Sequence, residues 1–229
     1  MKIFPLHEWN LTPAEAVALQ KTLADRVDLR SPLGRFDLVA GADVSYQRHG
    51  HRLFGGVIVL RTDDLSVVEQ HTVCESVRFP YVPGLLSFRE APVVLAAFEK
   101  LRTQPDVVLL DGQGYAHPRR FGLACHLGLW LGLPTLGCAK TLLVGSHGRL
   151  GAKAGSVAPL KHQGEVVGMA VRTRTSTRPV YVSAGHKIDL ASAVEVVLAT
   201  CRGYRIPEPT RQAHLVVNEA RRRGCSDVP

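Results

Sequence analysis

Apolar and polar positions alternate in three blocks early in the chain. Phe36–Tyr46, Leu53–Leu60 and Leu65–Val77 carry strand-like patterns, and the connectors Gln47-Arg48-His49-Gly50 and Arg61-Thr62-Asp63-Asp64 are short enough for hairpins. They predict a three-stranded antiparallel meander. Ahead of it, Ala16, Leu19, Leu23 and Val27 recur at helical spacing behind Thr12-Pro13-Ala14-Glu15. There Thr12 suits the cap, Pro13 the first helical position, and Glu15 completes a capping box. The period then changes. Val93, Val94, Ala97, Phe98 and Leu101 mark a helix that ends before Pro105, and Asp106–Asp111 is an almost continuous apolar run, the mark of a strand covered on both faces. A second helix over about Phe121–Leu131 and a second buried strand over Pro134–Ala139 complete a βαβ crossover. A hairpin (Glu165–Val171 and Val180–Ala184) and helices near Leu190–Cys201 and Glu208–Arg223 follow. With no internal repeat and no long linker, residues 1–229 read as a single mixed α/β domain.

Composition narrows the class. Hydrophobic residues make up 45% and charged ones 21% of the 229, which excludes a disordered or fibrous chain. Lys and Arg number 28 against 20 Asp and Glu, and the resulting +8 favours polyanionic partners. The cysteines at 74, 125, 138, 201 and 225 are odd in number and show no CxxC spacing, which argues against a disulfide framework or zinc site and for the cytoplasm. The N-terminus reaches Glu8 before the apolar core of a signal peptide can form. Phe121–Ala139 lacks Asp, Glu, Lys and Arg and is nearly long enough to span a bilayer. His126, Gly128, Gly132 and Pro134 divide it into a helix and a short strand, so no membrane segment is expected.

Against this frame a few residues stand out. Asp43 lies inside the first strand and Asp111 closes the fourth, leading into Gly112-Gln113-Gly114. A carboxylate at the carboxyl end of a buried strand, before a glycine loop, is where open α/β sheets place functional groups. The bland alternatives are a turn-forming Asp111 and a solvent-facing Asp43 on an edge strand. If the first and fourth strands are neighbours the two acids meet, which is costly without a cation between them. Glu90 has capping-box spacing from Ser87, and Pro92 would pull the helix start forward; on the first turn it would aim at the same pole. Three oxygen donors with no Cys nearby select a hard cation, magnesium or manganese. His117-Pro118-Arg119-Arg120 precedes a helix and Lys140 ends a buried strand, which gives a phosphate-friendly neighbourhood; a solvated Arg119-Arg120 pair, a turn-capping His117 and a structural or solvent-facing His214 are the plain alternatives. Finally, Phe79-Pro80-Tyr81-Val82-Pro83-Gly84 holds an aromatic between two prolines, either a rigid connector with Tyr81 in the core or a wedge that enters a base stack.

The order of elements with these acids resembles the ribonuclease H-like fold: three antiparallel strands, then parallel strands joined by helical crossovers, flanked by helices. Gly41-Ala42-Asp43-Val44, Pro80-Tyr81-Val82-Pro83-Gly84, Leu86-Ser87-Phe88-Arg89-Glu90, Pro105-Asp106 through Asp111-Gly112-Gln113-Gly114, His117-Pro118-Arg119 and Pro134-Thr135 through Ala139-Lys140 resemble the endonuclease V family over roughly residues 8–215. The proline-bracketed tip followed by Ser-Phe-Arg-Glu is highly specific. The resemblance implies a magnesium-dependent endonuclease, with manganese as substitute, that nicks inosine-containing DNA at the second phosphodiester bond 3′ to the lesion, leaving the base in place. It implies that Asp43, Glu90 and Asp111 hold the metal and that His117 and Lys140 act near the scissile phosphate. Pro80, Tyr81, Val82, Pro83, Gly84 and Leu85 would form the wedge and base pocket, with Gly112, Gly114, His214 and Asp106 in supporting roles. The expected partner is inosine-containing DNA or RNA, bound by a cytoplasmic monomer. The competing readings are a ribonuclease H-like nuclease acting on structured nucleic acid or on inosine in RNA, and a non-catalytic nucleic-acid-binding module.

Overall fold

The computed structural model describes residues 1–47 and 50–224; Arg48 and His49 of the expected first connector, and Cys225, lie outside the described residues. Its elements in chain order are α1 Pro13–Ala24, β1 Leu38–Tyr46, β2 Arg52–Arg61, β3 Val67–Ser76, α2 Leu86–Glu99, β4 Val107–Leu110, α3 Leu123–Leu131, β5 Thr135–Ala139, β6 Ser146–His147, β7 Val157–His162, β8 Glu165–Val171, β9 Val180–His186, α4 Leu190–Ala199 and α5 Glu208–Arg223. The strands form one sheet in the order β3-β2-β1-β4-β5-β9-β8-β7-β6. β1, β4 and β5 run parallel and every other pairing is antiparallel.

Local sequence explains most of these boundaries. Thr12 accepts the Glu15 N–H at 3.3 Å while Glu15 reaches back to the Thr12 N–H at 2.7 Å, so the expected capping box opens α1. The meander forms with β1 as an interior strand between β2 and β4, and Asp43 is therefore not on an edge. The second expected capping box does not form. Helix α2 starts at Leu86 with no side-chain cap, Ser87 Oγ is hydrogen-bonded to His126 Nδ1 at 3.0 Å, and Glu90 sits inside the helix, as does Pro92. Proline there leaves the Phe88 carbonyl without its helical N–H, a cost tolerated because α2 is packed along most of its length. Two strands, β6 and β7, extend the expected Glu165 hairpin to the far edge of the sheet. Cys125, Cys138 and Cys201 are free thiols, whereas Cys74 is disulfide-bonded. Among the described residues no helix is long and apolar enough to cross a membrane.

Helices cover both faces. On one face Ala40, Ala42, Val108 and Leu110 pack beneath α2 and α3, with Ala91, Val94, Phe98, Leu127 and Trp130 above them. On the other, Val39, Leu109, Leu136 and Cys138 pack against Ala193, Val196 and Val197 of α4 and Ala213 of α5. The start of α5 lies so close on β1 that a Cβ at Gly41 would run into the Pro209 carbonyl. Gly41 is thus what lets α5 approach the strand that carries Asp43.

Gly41→Ala forces either α5 or β1 to move. We expect a loss of about 1–3 kcal/mol, the usual cost of overpacking, or more because the obstacle is backbone. Urea unfolding measures it; a midpoint unchanged from the wild type would contradict this packing.

Candidate active site

Strand alternation decides which side chains share a pole. In β1, Val39 faces α4 and α5 while Ala40 and Ala42 face α2 and α3, so Asp43 falls on the α5 side. The same parity puts Asp111, two residues beyond Leu109, and Lys140, two beyond Cys138, on that side at the carboxyl ends of β4 and β5. β1 pairs with β4 in parallel register, Ala42 against Leu110, which brings Asp43 and Asp111 together. Glu90 comes from α2 on the opposite face and is buried against the same pole.

Each acid has its own partner. Lys140 Nζ forms an ion pair with Asp111 Oδ2. His214 Nδ1 donates to Asp43 Oδ2 at 2.7 Å, and the Asn218 amide donates to His214 Nε2 at 3.0 Å. Ser45 Oγ is bonded to Asn218 Oδ1 at 3.0 Å, so a chain from β1 through α5 fixes the imidazole tautomer. The Tyr46 hydroxyl donates to Glu90 Oε1. Among the described residues, then, the three carboxylates are held by separate neighbours rather than closed into one ligand cluster. They nevertheless feel one another. Burial raises Asp43, and the charge of Asp111 adds to it, against the pull of His214 and Lys140. Burial, reinforced by Asp43 and Asp111, raises Glu90 to about 7 although the Tyr46 hydroxyl opposes the shift. Buried like charges at a sheet end, all of them oxygen donors, are a donor set that fits a hard divalent cation.

Beside this pole lies the 80–85 tip. Tyr81 is 71% exposed, so it is not a core residue. Tyr81, Val82, Pro83 and Gly84 line a cavity of about 150 Å³ together with Gly112, Gln113, His117 and Leu123. Leu85 is fully buried beneath it, packed with Ala16, Phe79 and Phe88, and supports the tip from below. Gly84 takes φ +78°, a conformation that favours glycine, and its carbonyl is a hub. Gln20 Nε2 donates to it at 3.0 Å, His117 Nε2 at 3.1 Å and Arg119 Nη2 at 2.6 Å. Gln20 Oε1 in turn accepts from Arg119 Nε at 2.5 Å. His117 therefore sits under the tip, and burial with the neighbouring Arg119 lowers it to about 4, leaving it neutral. Arg119 is committed to the tip and Arg120 pairs with Glu165 at 2.8 Å, so neither is the solvated surface pair its sequence context suggests.

The remaining expected residues have structural places. Gly114 is buried and donates to Ser183 Oγ at 2.9 Å, and Asp106 Oδ2 accepts the Asp37 and Leu38 N–H groups at the far end of β1. Sequence reasoning missed Tyr46, Gln20 and Asn218. Tyr46 had a legible signal, since three residues beyond Asp43 it falls on the opposite face, where α2 carries Glu90. Gln20 and Asn218 had none, because only the packing of α1 and α5 brings them in.

The Glu90 shift has a definite sign in stability. Unfolded, the group loses its proton near 4.5; folded, it holds it to about 7, so rising pH across that window weakens the fold. Without divalent ions, stability should fall from pH 5 to 8 by up to about 3 kcal/mol more than in Glu90→Gln, which keeps an acceptor for Tyr46. Parallel denaturation profiles for the two proteins would contradict a raised Glu90.

The chain resembles known proteins over most of its length. A family model described as Endonuclease V matches residues 21–215. The chain is 55% identical over 215 residues to the Endonuclease V of Myxococcus xanthus, covering 93% of this chain and 92% of that one. The crystal structure of the Streptomyces avermitilis Endonuclease V superposes with a TM-score of 0.92 at 42% identity, covering 99% and 100% of the two chains. A Ciona intestinalis Endonuclease V, solved in complex with a 24mer DNA containing an inosine followed by a ribo-adenosine, superposes with a TM-score of 0.80 at 28% identity over 92% of this chain and 98% of that one. The mixed sheet, of nine strands among the described residues, belongs to the ribonuclease H-like fold these structures share. The chain is an endonuclease and belongs to the endonuclease V family.

Proposed function

We propose that this chain, as one catalytic unit over residues 1–229, nicks inosine-containing DNA at the second phosphodiester bond 3′ to the lesion in a magnesium-dependent reaction, with manganese able to substitute. The carrying observation is adjacency. Gly112 and Gln113, which line the cavity under Tyr81, directly follow Asp111 in the chain, so a base held in that cavity leaves its strand beside the carboxylates.

In this reading Tyr81 enters the base stack and the flipped hypoxanthine occupies the cavity behind it, a pocket on the scale of a single base rather than of a drug-sized ligand. The Gln20, His117 and Arg119 bonds to Gly84 hold the tip against the strain of unstacking. His117, neutral and beneath the tip, supports the pocket next to the phosphate path. Asp43, Glu90 and Asp111 would hold the ion, which when bound supplies Lewis acidity at the scissile phosphate. Lys140 Nζ, now on Asp111, is the cation positioned to meet a phosphate oxygen, and His214 holds Asp43 in its orientation. The +8 chain supplies the general attraction to the backbone.

Two experiments test the reading. Asp43→Ala and Asp111→Ala should abolish nicking of an inosine duplex in magnesium while binding in calcium survives; wild-type nicking by either variant would remove that residue from the metal site. Tyr81→Ala should lower affinity for the inosine duplex roughly 5- to 150-fold, the value of about 1–3 kcal/mol of stacking, with an unchanged melting temperature. A large loss of melting temperature with intact discrimination of inosine would overturn the wedge.

A further inference from the structure

We propose that Tyr204, backed by the Arg211 guanidinium, is a stacking platform for a nucleotide base on the 3′ side of the cut. The assignment of the 3′ side rests on the nuclease reading above; the platform itself rests on geometry. Tyr204 is 52% exposed, and the Arg211 guanidinium carbon lies over its ring at 4.5 Å from the centroid. Arg211 is itself fixed by a two-pronged pair with buried Glu208, at 2.8 and 2.7 Å. A large aromatic held open to solvent on a braced cation suits a flat π-faced ligand.

The ring is tied to the active site from two directions. Arg205, the next residue, donates to the Lys140 carbonyl at 2.6 Å, the Pro179 carbonyl at 2.7 Å and the Arg178 carbonyl at 3.0 Å, and its own carbonyl accepts from Thr173 Oγ1 at 2.6 Å. The loop bearing Tyr204 is thereby fastened to the end of β5, whose Lys140 side chain meets Asp111. Arg211 lies one turn before His214 on α5, and His214 holds Asp43. The lesion cavity belongs to the α2–α3 side of the sheet and Tyr204 to the α5 side, with the carboxylates between them. A strand that leaves the cavity and crosses the carboxylates continues onto Tyr204, and since the cut is 3′ to the lesion this is the 3′ segment.

Charge agrees with that path. Residues 112–188 hold ten Lys and Arg against one acid, Glu165, a net 10 − 1 = +9 in a chain of net +8. The remaining residues sum to 8 − 9 = −1, so, Arg119 at the tip apart, the excess lies on the β5–β9 half to which the Tyr204 loop is fastened. Exposed Arg174, Arg178 and Arg202 flank that loop, and among the described residues no carboxylate pairs with Arg205.

The test measures affinity in calcium for single-stranded inosine oligonucleotides that either stop at the nucleotide before the cut or extend three nucleotides beyond it. The wild type should bind the extended strand more tightly. Tyr204→Ala should lose about 5- to 150-fold on the extended strand and nothing on the truncated one, and Tyr204→Trp should restore the gain, with tryptophan quenching only by the extended strand. Equal losses on both strands, or none on either, would overturn the platform. The same series with adenine in place of inosine separates the two claims. Equal affinity of the wild type for both bases would sink the inosine reading, whereas the length dependence of Tyr204→Ala still decides the platform.

Discussion

The structure turns on three carboxylates crowded at one end of a sheet. Parallel pairing of β1 with β4 forces Asp43 and Asp111 into each other's field, and α2 adds Glu90 from the other face. In a buried setting such charges cannot all be ionised without compensation. The molecule compensates piecemeal, with Lys140 on Asp111, His214 on Asp43 and the Tyr46 hydroxyl on Glu90. The three partners come from β1, the end of β5 and α5, so the placing of α5 over the sheet bears directly on this one electrostatic problem. Under the proposed function a single divalent cation answers it better than any of them, and frees Lys140 for phosphate.

The sheet also separates two tasks. On its α2–α3 side, Gln20, His117 and Arg119 converge on the Gly84 carbonyl and stiffen the tip. On its α5 side, close approach at Gly41 brings His214 to Asp43 and Asn218 to Ser45, and Arg205 pins the Tyr204 loop to β5. The carboxylates stand where the sides meet, at the strand ends. Under the proposed function, binding elements can thus be rigid on either side without being part of the reacting group, and a nick displaced from the recognised base becomes geometrically simple.

How far the sequence reveals this differs by element. The meander, the βαβ crossover and α5 are readable because alternation, buried apolar runs and helical spacing are local signals, and the helix expected near Glu208–Arg223 forms there. The strands β6 and β7 were not. Ser146–His147 is two residues long, and Pro159 inside Val157–His162 argues against a strand; it is accommodated because it lies beyond the short pairing with β6. Ser87 and Glu90 imitate a capping box, yet both side chains are spent on other helices and strands. Asp43, Glu90, Asp111 and Lys140, singled out by residue type and element position, lie at one pole of the sheet. His214 looked like a surface residue because it is one: its role comes entirely from where α5 crosses β1.

Whether the three carboxylates share a cation is tested by the number of protons released when magnesium or manganese binds, measured calorimetrically in buffers of different ionisation enthalpy. If the carboxylates share a cation and Glu90 titrates near 7, binding at pH 7 releases about half a proton from that residue, falling toward zero by pH 9 and absent in Glu90→Gln. Binding with no proton release at any pH between 6 and 9, or release unchanged in Glu90→Gln, would contradict it.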